Sequence, residues 1–273
     1  MKKYLGFVAV SVFLLSCADD TRDNPYDERA VNYIWRASAE GSSSSVEAGD
    51  YPSSSSVVYS SSSSVQCSNA GNGDFIDTRD GKIYGYVTIC SQTWMAKNLN
   101  YKADGSRCYG DNSGDDSEGY CDTYGRLYNW STAMNFSPNC NSSTCSGQIG
   151  SPHRGICPYG WHIPSSDDLR ILEDYIGDFS TAGKHLKSAN GWEFYSGIEN
   201  LDTYGFSALP GGYGFSDGGG FDQVGYFGVW WTASEYDSYG AYAYAVYSLY
   251  EEVGWGEEDE KSILFSVRCI QNR

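Results

Sequence analysis

The rhythm of hydrophobic and polar positions changes abruptly along this chain. An apolar run at positions 4–15 follows Lys2 and Lys3 and breaks at Ser16-Cys17. From 38 to 66 serine dominates, with tracts at 42–45, 53–56 and 60–64 and almost no large aliphatic side chains. Beyond Cys67, short aromatic and β-branched runs alternate with Gly, Asn, Asp and Ser, which predicts many short strands and long loops. One helix is clearly signalled after Pro164. Ser165 caps its first amides, Asp168 takes the capping-box position, and Leu169, Leu172 and Ile176 recur at helical spacing until Gly177. A second short helix is expected over 181–188, before the turn at Asn190-Gly191, and strands at 82–89, 93–96, 229–233, 241–247 and 263–270. In the fourth of these strands Tyr242, Tyr244 and Val246 alternate with alanines, which places large and small side chains on opposite faces.

The N-terminal pattern is that of a bacterial secretory leader: a basic start, a short apolar stretch and a small residue before the cut. The stretch is about twelve residues, whereas a spanning helix needs roughly twenty. Leu14-Leu15-Ser16-Cys17 resembles the lipobox that is cleaved before a diacylated cysteine. Residues 1–16 are therefore expected to be a lipoprotein signal peptide, with Cys17 lipidated at the head of a segment running to 37. The serine-rich stretch 38–66 cannot bury enough apolar surface to offset its chain entropy, so a disordered linker is expected there. As a flexible coil, 18–66 has an end-to-end distance of roughly 35–40 Å, a spacer that holds the folded part, 67–273, clear of the lipid. Asp19 and Asp20 resemble surface-export signals, so the expected address is the bacterial outer membrane, lipid-anchored and displayed outward.

Charge narrows the partners. A formal net charge of −17 disfavours nucleic acid and anionic lipid surfaces, leaving the lipid anchor as the expected membrane contact. Nine cysteines suit an oxidising compartment. With Cys17 set aside, Cys67, Cys90, Cys108, Cys121, Cys140, Cys145, Cys157 and Cys269 form an even set whose connectivity the spacing leaves open. No Cys-x-x-Cys occurs, and His153, His162 and His185 lack ligand spacing, so disulfides are favoured over zinc. Asp111, Ser113, Asp115 and Asp116 offer oxygens to calcium but lack the EF-hand spacing, so no metal or cofactor is expected. Catalysis has little to stand on, since no Gly-x-Ser-x-Gly elbow and no distinguishable carboxylate pair is present. The glycine-rich stretch 211–220 lacks a following Gly-Lys-Ser/Thr and reads as a loop.

A family resemblance is carried by Asp80-Gly81-Lys82-Ile83-Tyr84, by 92–101 (Gln-Thr-Trp-Met-Ala-Lys-Asn-Leu-Asn-Tyr) and by 124–130 (Tyr-Gly-Arg-Leu-Tyr-Asn-Trp). It continues through 155–165, Leu209-Pro210-Gly211-Gly212-Tyr213, Trp231-Thr232-Ala233-Ser234-Glu235 and Ser266-Val267-Arg268-Cys269. In order, these segments resemble the Fibrobacter succinogenes major paralogous (FISUMP) domain across nearly all of 74–273. The lipobox and serine-rich spacer also resemble that family's usual arrangement. Gly160-Trp161-His162-Ile163-Pro164-Ser165 is similar to a segment of formylglycine-generating enzymes. The resemblance implies an α+β, C-type-lectin-like domain with short antiparallel strands, one clear helix, long loops and disulfide staples. It also suggests Cys157 paired with Cys269, with Cys108–Cys121 and Cys140–Cys145 pinning two loops and Cys67 left for Cys90. The reactive cysteine pair of the formylglycine-generating oxidases has no counterpart, as the C-terminal part offers only Cys269. The Glu-Pro-Asn, Gln-Pro-Asp and Trp-Asn-Asp tripeptides of calcium-dependent lectins are absent too.

The functional expectation is a non-catalytic lectin-like binding or adhesion module for polysaccharide. The alternative is a structural or protein-interaction lipoprotein of the envelope, and third an enzyme of formylglycine-generating-like fold. Aromatics make up 16% of the chain, and Tyr and Trp suit both sugar stacking and protein contacts. Trp94, Trp161, Tyr242 and Tyr244 fall in motifs or strand patterns that suggest core. Tyr213, Phe215, Tyr226, Tyr236 and Tyr239, in or beside the glycine-rich stretch, and Trp255, in an acidic loop, are the expected ligand-binding rings.

Overall fold

The computed structural model describes residues 71–110, 116 and 118–273, except for the side chains of 255–257. The expected leader, Cys17, the serine-rich linker, Cys67, Asp111, Ser113 and Asp115 lie outside the described residues. Among the described residues no helix is long and apolar enough to cross a membrane.

The fold is α+β, two sheets with short helices and three described disulfides. The first sheet runs in the order β1 (Asn72–Ile76), β2 (Ile83–Ile89), β3 (Gln92–Met95), β12 (Ile270–Gln271), β5 (Trp161–His162), with every pair antiparallel. The second is ordered β10 (Val253–Glu260), β9 (Gly240–Tyr247), β8 (Phe227–Glu235), β11 (Ile263–Ser266), β6 (Gly211–Phe215), β7 (Phe221–Val224), and β4 (Leu127–Tyr128) joins it on β11.

The period-two pattern of β8 and β9 divides the interior. Val229, Trp231, Ala233, Ala241, Ala243 and Ala245 enter one core, while Trp230, Tyr244 and Val246 enter a second. A strand buried on both faces needs apolar residues at every position, so its alternation is large against small rather than apolar against polar. Trp94 and Trp161 are also buried, and Tyr242 is half-buried.

Helices α1 (Tyr120–Tyr124) and α2 (Trp130–Met134) are short. Helix α3 (Ser166–Ile176) starts as its sequence dictates, with a reciprocal Ser165–Asp168 capping box, and ends at Gly177. Leu169 and Leu172 bury its inner face in the second core. Helix α4 is Phe179–Leu186, two residues earlier than the periodicity predicts, because the Asp178 side chain accepts from Ser180 N–H and starts the helix there.

Two elements differ from expectation. The strand predicted over 263–270 is two strands in different sheets: β11 pairs with β4, β6 and β8, and β12 with β3 and β5. The chain crosses between sheets at Val267–Cys269, where a buried arginine interrupts the apolar run. The glycine-rich stretch 211–220 is strand β6 over 211–215 and then the turn that leads into β7, so its first half is paired strand and only its second half is loop. Glycine is required inside it because a Cβ on Gly214 would stand 2.7 Å from the Phe221 ring across the pair.

Cys108–Cys121, Cys140–Cys145 and Cys157–Cys269 are bonded, and Cys90 is also in a disulfide. Cys157–Cys269 closes a sequence separation of 112. In the chain-entropy account a loop of that length stabilises by about 4–5 kcal/mol.

Candidate functional site

Asn98 and Arg268, polar residues of the family motifs, turn inward. Asn98 Oδ1 accepts from Trp230 Nε1 at 2.8 Å and from Arg268 Nη2 at 2.7 Å, and its amide donates to Tyr124 O at 2.8 Å. Arg268 also donates to the Phe206 and Ser207 carbonyls and lies over the rings of Phe206 and Trp230. Burial pushes its pKa down to about 9, opposed by the Asp202 charge. This knot joins β3's end, β8 and the sheet crossover, and its donors and acceptors are consumed by the protein itself.

Ser165, His162 and Asp168 are the three residue types of a hydrolase triad in one place, in the wrong order. Asp168 Oδ2 accepts from Ser165 Oγ at 2.6 Å and lies 3.5 Å from His162 Nε2, while His162 Nδ1 meets Asn272 Oδ1 at 2.8 Å. The carboxylate stands between serine and histidine, so no imidazole is placed to take the serine proton. Burial alone would raise the Asp168 pKa, but hydrogen bonds from His162 and Ser165 outweigh it and hold the group at about 2. The cluster is a helix cap. Asp116 is another cap: its carboxylate accepts from the Cys121 and Asp122 amides at 3.0 and 3.2 Å. It also lies near Cys108 and Cys121, but those sulfurs are joined to each other, so the trio offers no thiolate for a metal.

The expected ligand-binding rings part company. Tyr213 is half-buried and packs against Phe215, Phe227 and Phe265, because it lies in a strand whose face closes the first core. Phe215 and Tyr226 are half-buried as well. These three are therefore not the freely exposed loop rings that the glycine content suggested. Trp255 lies in β10, not in a loop, and its side chain is outside the described residues. Tyr236 and Tyr239 remain open to solvent, 51% and 65% exposed, on the turn between β8 and β9. Tyr236 meets the half-buried Tyr242 edge to face at 5.6 Å.

That turn is held from beneath by a charge. Lys261 is fully buried, and its ammonium donates to Glu235 Oε1 at 2.6 Å, to Asp237 O at 2.6 Å and to Ser238 O at 3.2 Å. The Glu235 side chain, 2% exposed, accepts from Cys145 N–H at 2.8 Å, which ties the Cys140–Cys145 loop to the same pair. Above, Asp237 accepts from the Tyr239 and Gly240 amides at 2.7 Å each. The Gly240 and Tyr239 amide hydrogen bonds draw the Asp237 carboxyl below the ordinary carboxylate range. Two tyrosine rings are thus presented on a backbone fixed from both sides, which reduces the ordering cost of binding.

A second surface lies on the first sheet. A groove of about 790 Å³ is lined by Asn72, Asp74, Tyr86, Thr88, Thr203 and Tyr204, and glycines at 71, 73, 85 and 205 leave its floor low. Thr203 Oγ1 is fixed by His185 Nδ1 at 2.7 Å, and the Tyr204 ring is braced by Tyr175 at 5.7 Å. Sequence reading missed this groove. Its sides come from β1–β2 and from a segment more than a hundred residues later, and only the glycine spacing at 71, 73 and 85 hints at it.

Residues 87–271 match the family model described as the Fibrobacter succinogenes major domain. No curated protein and no solved structure matches the chain.

Proposed function

The chain belongs to the Fibrobacter succinogenes major domain family, and on that premise we propose that it is a lipid-anchored cell-surface protein whose domain binds polysaccharide without catalysis. The observation that carries the reading is the pair of exposed tyrosines, Tyr236 and Tyr239, on a turn fixed by the buried Lys261–Glu235 pair. Flat rings with a polar edge suit the faces of sugars, and a fixed turn spares the entropy of arranging them. The open groove beside Asp74 and Tyr204 adds hydrogen-bonding groups on a scale suited to an extended ligand. The absence of a serine–histidine contact in the Ser165, His162 and Asp168 cluster favours binding over hydrolysis. A C-type-lectin-like fold is supported by the N-terminal strands β1–β3 sharing one sheet with the C-terminal β12, by Cys157–Cys269 beside it and by the capped helix that follows β5. Lipidation at Cys17 and outward display at the outer membrane rest on the leader pattern and the spacer.

The second reading, a protein-interaction module, draws on Phe194 and Tyr159, the most exposed aromatics described. Incubating the full chain with insoluble and soluble polysaccharides, neutral and charged, separates the two. Retention on at least one glycan is expected; retention on none overturns the polysaccharide reading in favour of protein interaction. Cys17→Ala is expected to leave the leader uncleaved, and a Cys17→Ala chain still cut before position 17 would remove the anchor.

A further inference from the structure

The chain has 18 lysines and arginines against 35 acidic residues, so a cavity lined by two lysines runs against its overall field. Lys82 stands just before β2 and Lys97 just after β3, and both line a hollow of about 300 Å³ closed by Asn100 and by Asp122 and Thr123 of α1. The hollow lies apart from the tyrosine turn, and the residues lining it are not those of the groove beside Asp74.

Its polar groups are only partly used. The Lys82 ammonium donates to the Asn100 carbonyl and lies 3.7 Å from Asp80 Oδ2. Lys97 is exposed and forms no ion pair among the described residues. The Asn100 amide nitrogen donates to Asp122 Oδ1 at 3.4 Å, while Asn100 Oδ1 is buried and has no hydrogen-bond partner among the described residues. Rotating that amide would set its oxygen against the Asp122 carboxylate, so the unpaired group stays an acceptor. A buried acceptor without a donor is costly, and a ligand hydrogen supplied to it is correspondingly favoured.

Two ammonium groups call for an anion, and the orphan oxygen calls for a donor beside it. Asp122 in the same wall and Asp80 beside Lys82 set the charge: they disfavour a dianion such as phosphate and leave room for a single negative charge held mainly by the unpaired Lys97. The volume is at the low end of small-molecule sites and suits one sugar ring. We propose that this hollow binds a single uronate residue, its carboxylate held by Lys82 and Lys97 and a neighbouring hydroxyl donating to Asn100 Oδ1. The assignment rests on the polysaccharide reading and narrows it to glycans that carry isolated carboxylates. Densely charged polyuronates are repelled by the surrounding net charge.

The test is a titration of the full chain, followed by amide NMR, with sodium glucuronate, glucose, lactate and inorganic phosphate. Saturable shifts at residues 82–84, 97–100 and 121–125 are expected with glucuronate and, more weakly, with lactate, and none with glucose. Lys97→Gln, at an exposed position that the fold does not need, is expected to weaken glucuronate at least tenfold. Phosphate binding as tightly as glucuronate, glucose binding equally well, or Lys97→Gln without effect would each overturn the assignment. If glucuronate shifts these residues while no polysaccharide is retained, the polysaccharide reading fails and the uronate site stands. If a glycan is retained through Tyr236 and Tyr239 while glucuronate shifts nothing, the uronate site alone fails.

Discussion

Lys261→Met removes the charge on which the tyrosine turn rests. The ammonium makes one ion pair at 2.6 Å and donates to three carbonyls, those of Asp237, Ser238 and Ser143, with no exposure to water. Its removal leaves the Glu235 carboxylate, 2% exposed, with the Cys145 amide as its remaining described donor. Deleting one member of a buried pair costs about 3–5 kcal/mol, because the survivor keeps its desolvation penalty and loses its partner. For a domain of this size that corresponds to a fall of roughly 6–20 °C in melting temperature. Glu235→Leu is expected to lose a similar amount by stranding the ammonium among carbonyls. The double variant removes both charges together and is expected to recover at least half of either loss. Thermal unfolding followed by circular dichroism at neutral pH, with disulfides intact, reads all three. Single variants that lose less than about 1 kcal/mol, the range of exposed pairs, would refute the reasoning. So would a double variant whose loss equals the sum of the singles.

Three further outcomes follow from the same geometry. Asp168 has a folded pKa of about 2 against an ordinary 3.8, so its contribution is fully present above pH 4 and is lost as pH falls towards 2; about 2 kcal/mol of acid sensitivity should vanish in Asp168→Asn, as read from urea unfolding at pH 2–5. Lys187 is fully buried and burial draws its pKa down to about 8, with Glu251 opposing. Between pH 8 and about 10.5 the unfolded chain holds the proton more tightly, so stability rises across that window by about 3 kcal/mol, and Lys187→Met should flatten the rise. Gly183 lets α4 meet the chain before β10, since a Cβ there would run into Glu252 O and stand 2.8 Å from Glu251 O; Gly183→Ala is expected to cost about 1–3 kcal/mol by chemical denaturation, and a neutral result would mean that the helix is not seated so closely.

What could be read in the sequence was local or carried by family likeness. The Ser165–Asp168 cap and the Leu169, Leu172 stripe lie within one stretch of chain, and their physics is complete there. The large–small alternation of β9 gave its two faces, though not that both would be buried, since burial of the alanine face depends on Trp231 and Phe265 from elsewhere. Glycine content misled at 211–215, where Gly211, Gly212 and Gly214 serve close strand pairing, while 216–220 is the open turn that it implies. The mostly apolar run at 263–270, broken at Ser266 and Arg268, concealed a crossover between sheets. At the site, exposed Tyr236 and Tyr239 were legible as turn aromatics, whereas the Lys261 beneath them was not: a lone lysine after an acidic run reads as solvated until Glu235 is brought to it from 26 residues away.

The account's central claim, that the fixed tyrosine turn is a sugar-binding surface, is tested most directly by the dissociation constant of the Tyr236→Ala/Tyr239→Ala variant on a retained polysaccharide. Each exposed ring is expected to contribute about 1–2 kcal/mol, so the pair should weaken binding by roughly 30- to 1000-fold. The melting temperature should stay unchanged, since neither ring is in a core. Binding within about threefold of the parent chain, with the fold intact, would contradict the claim.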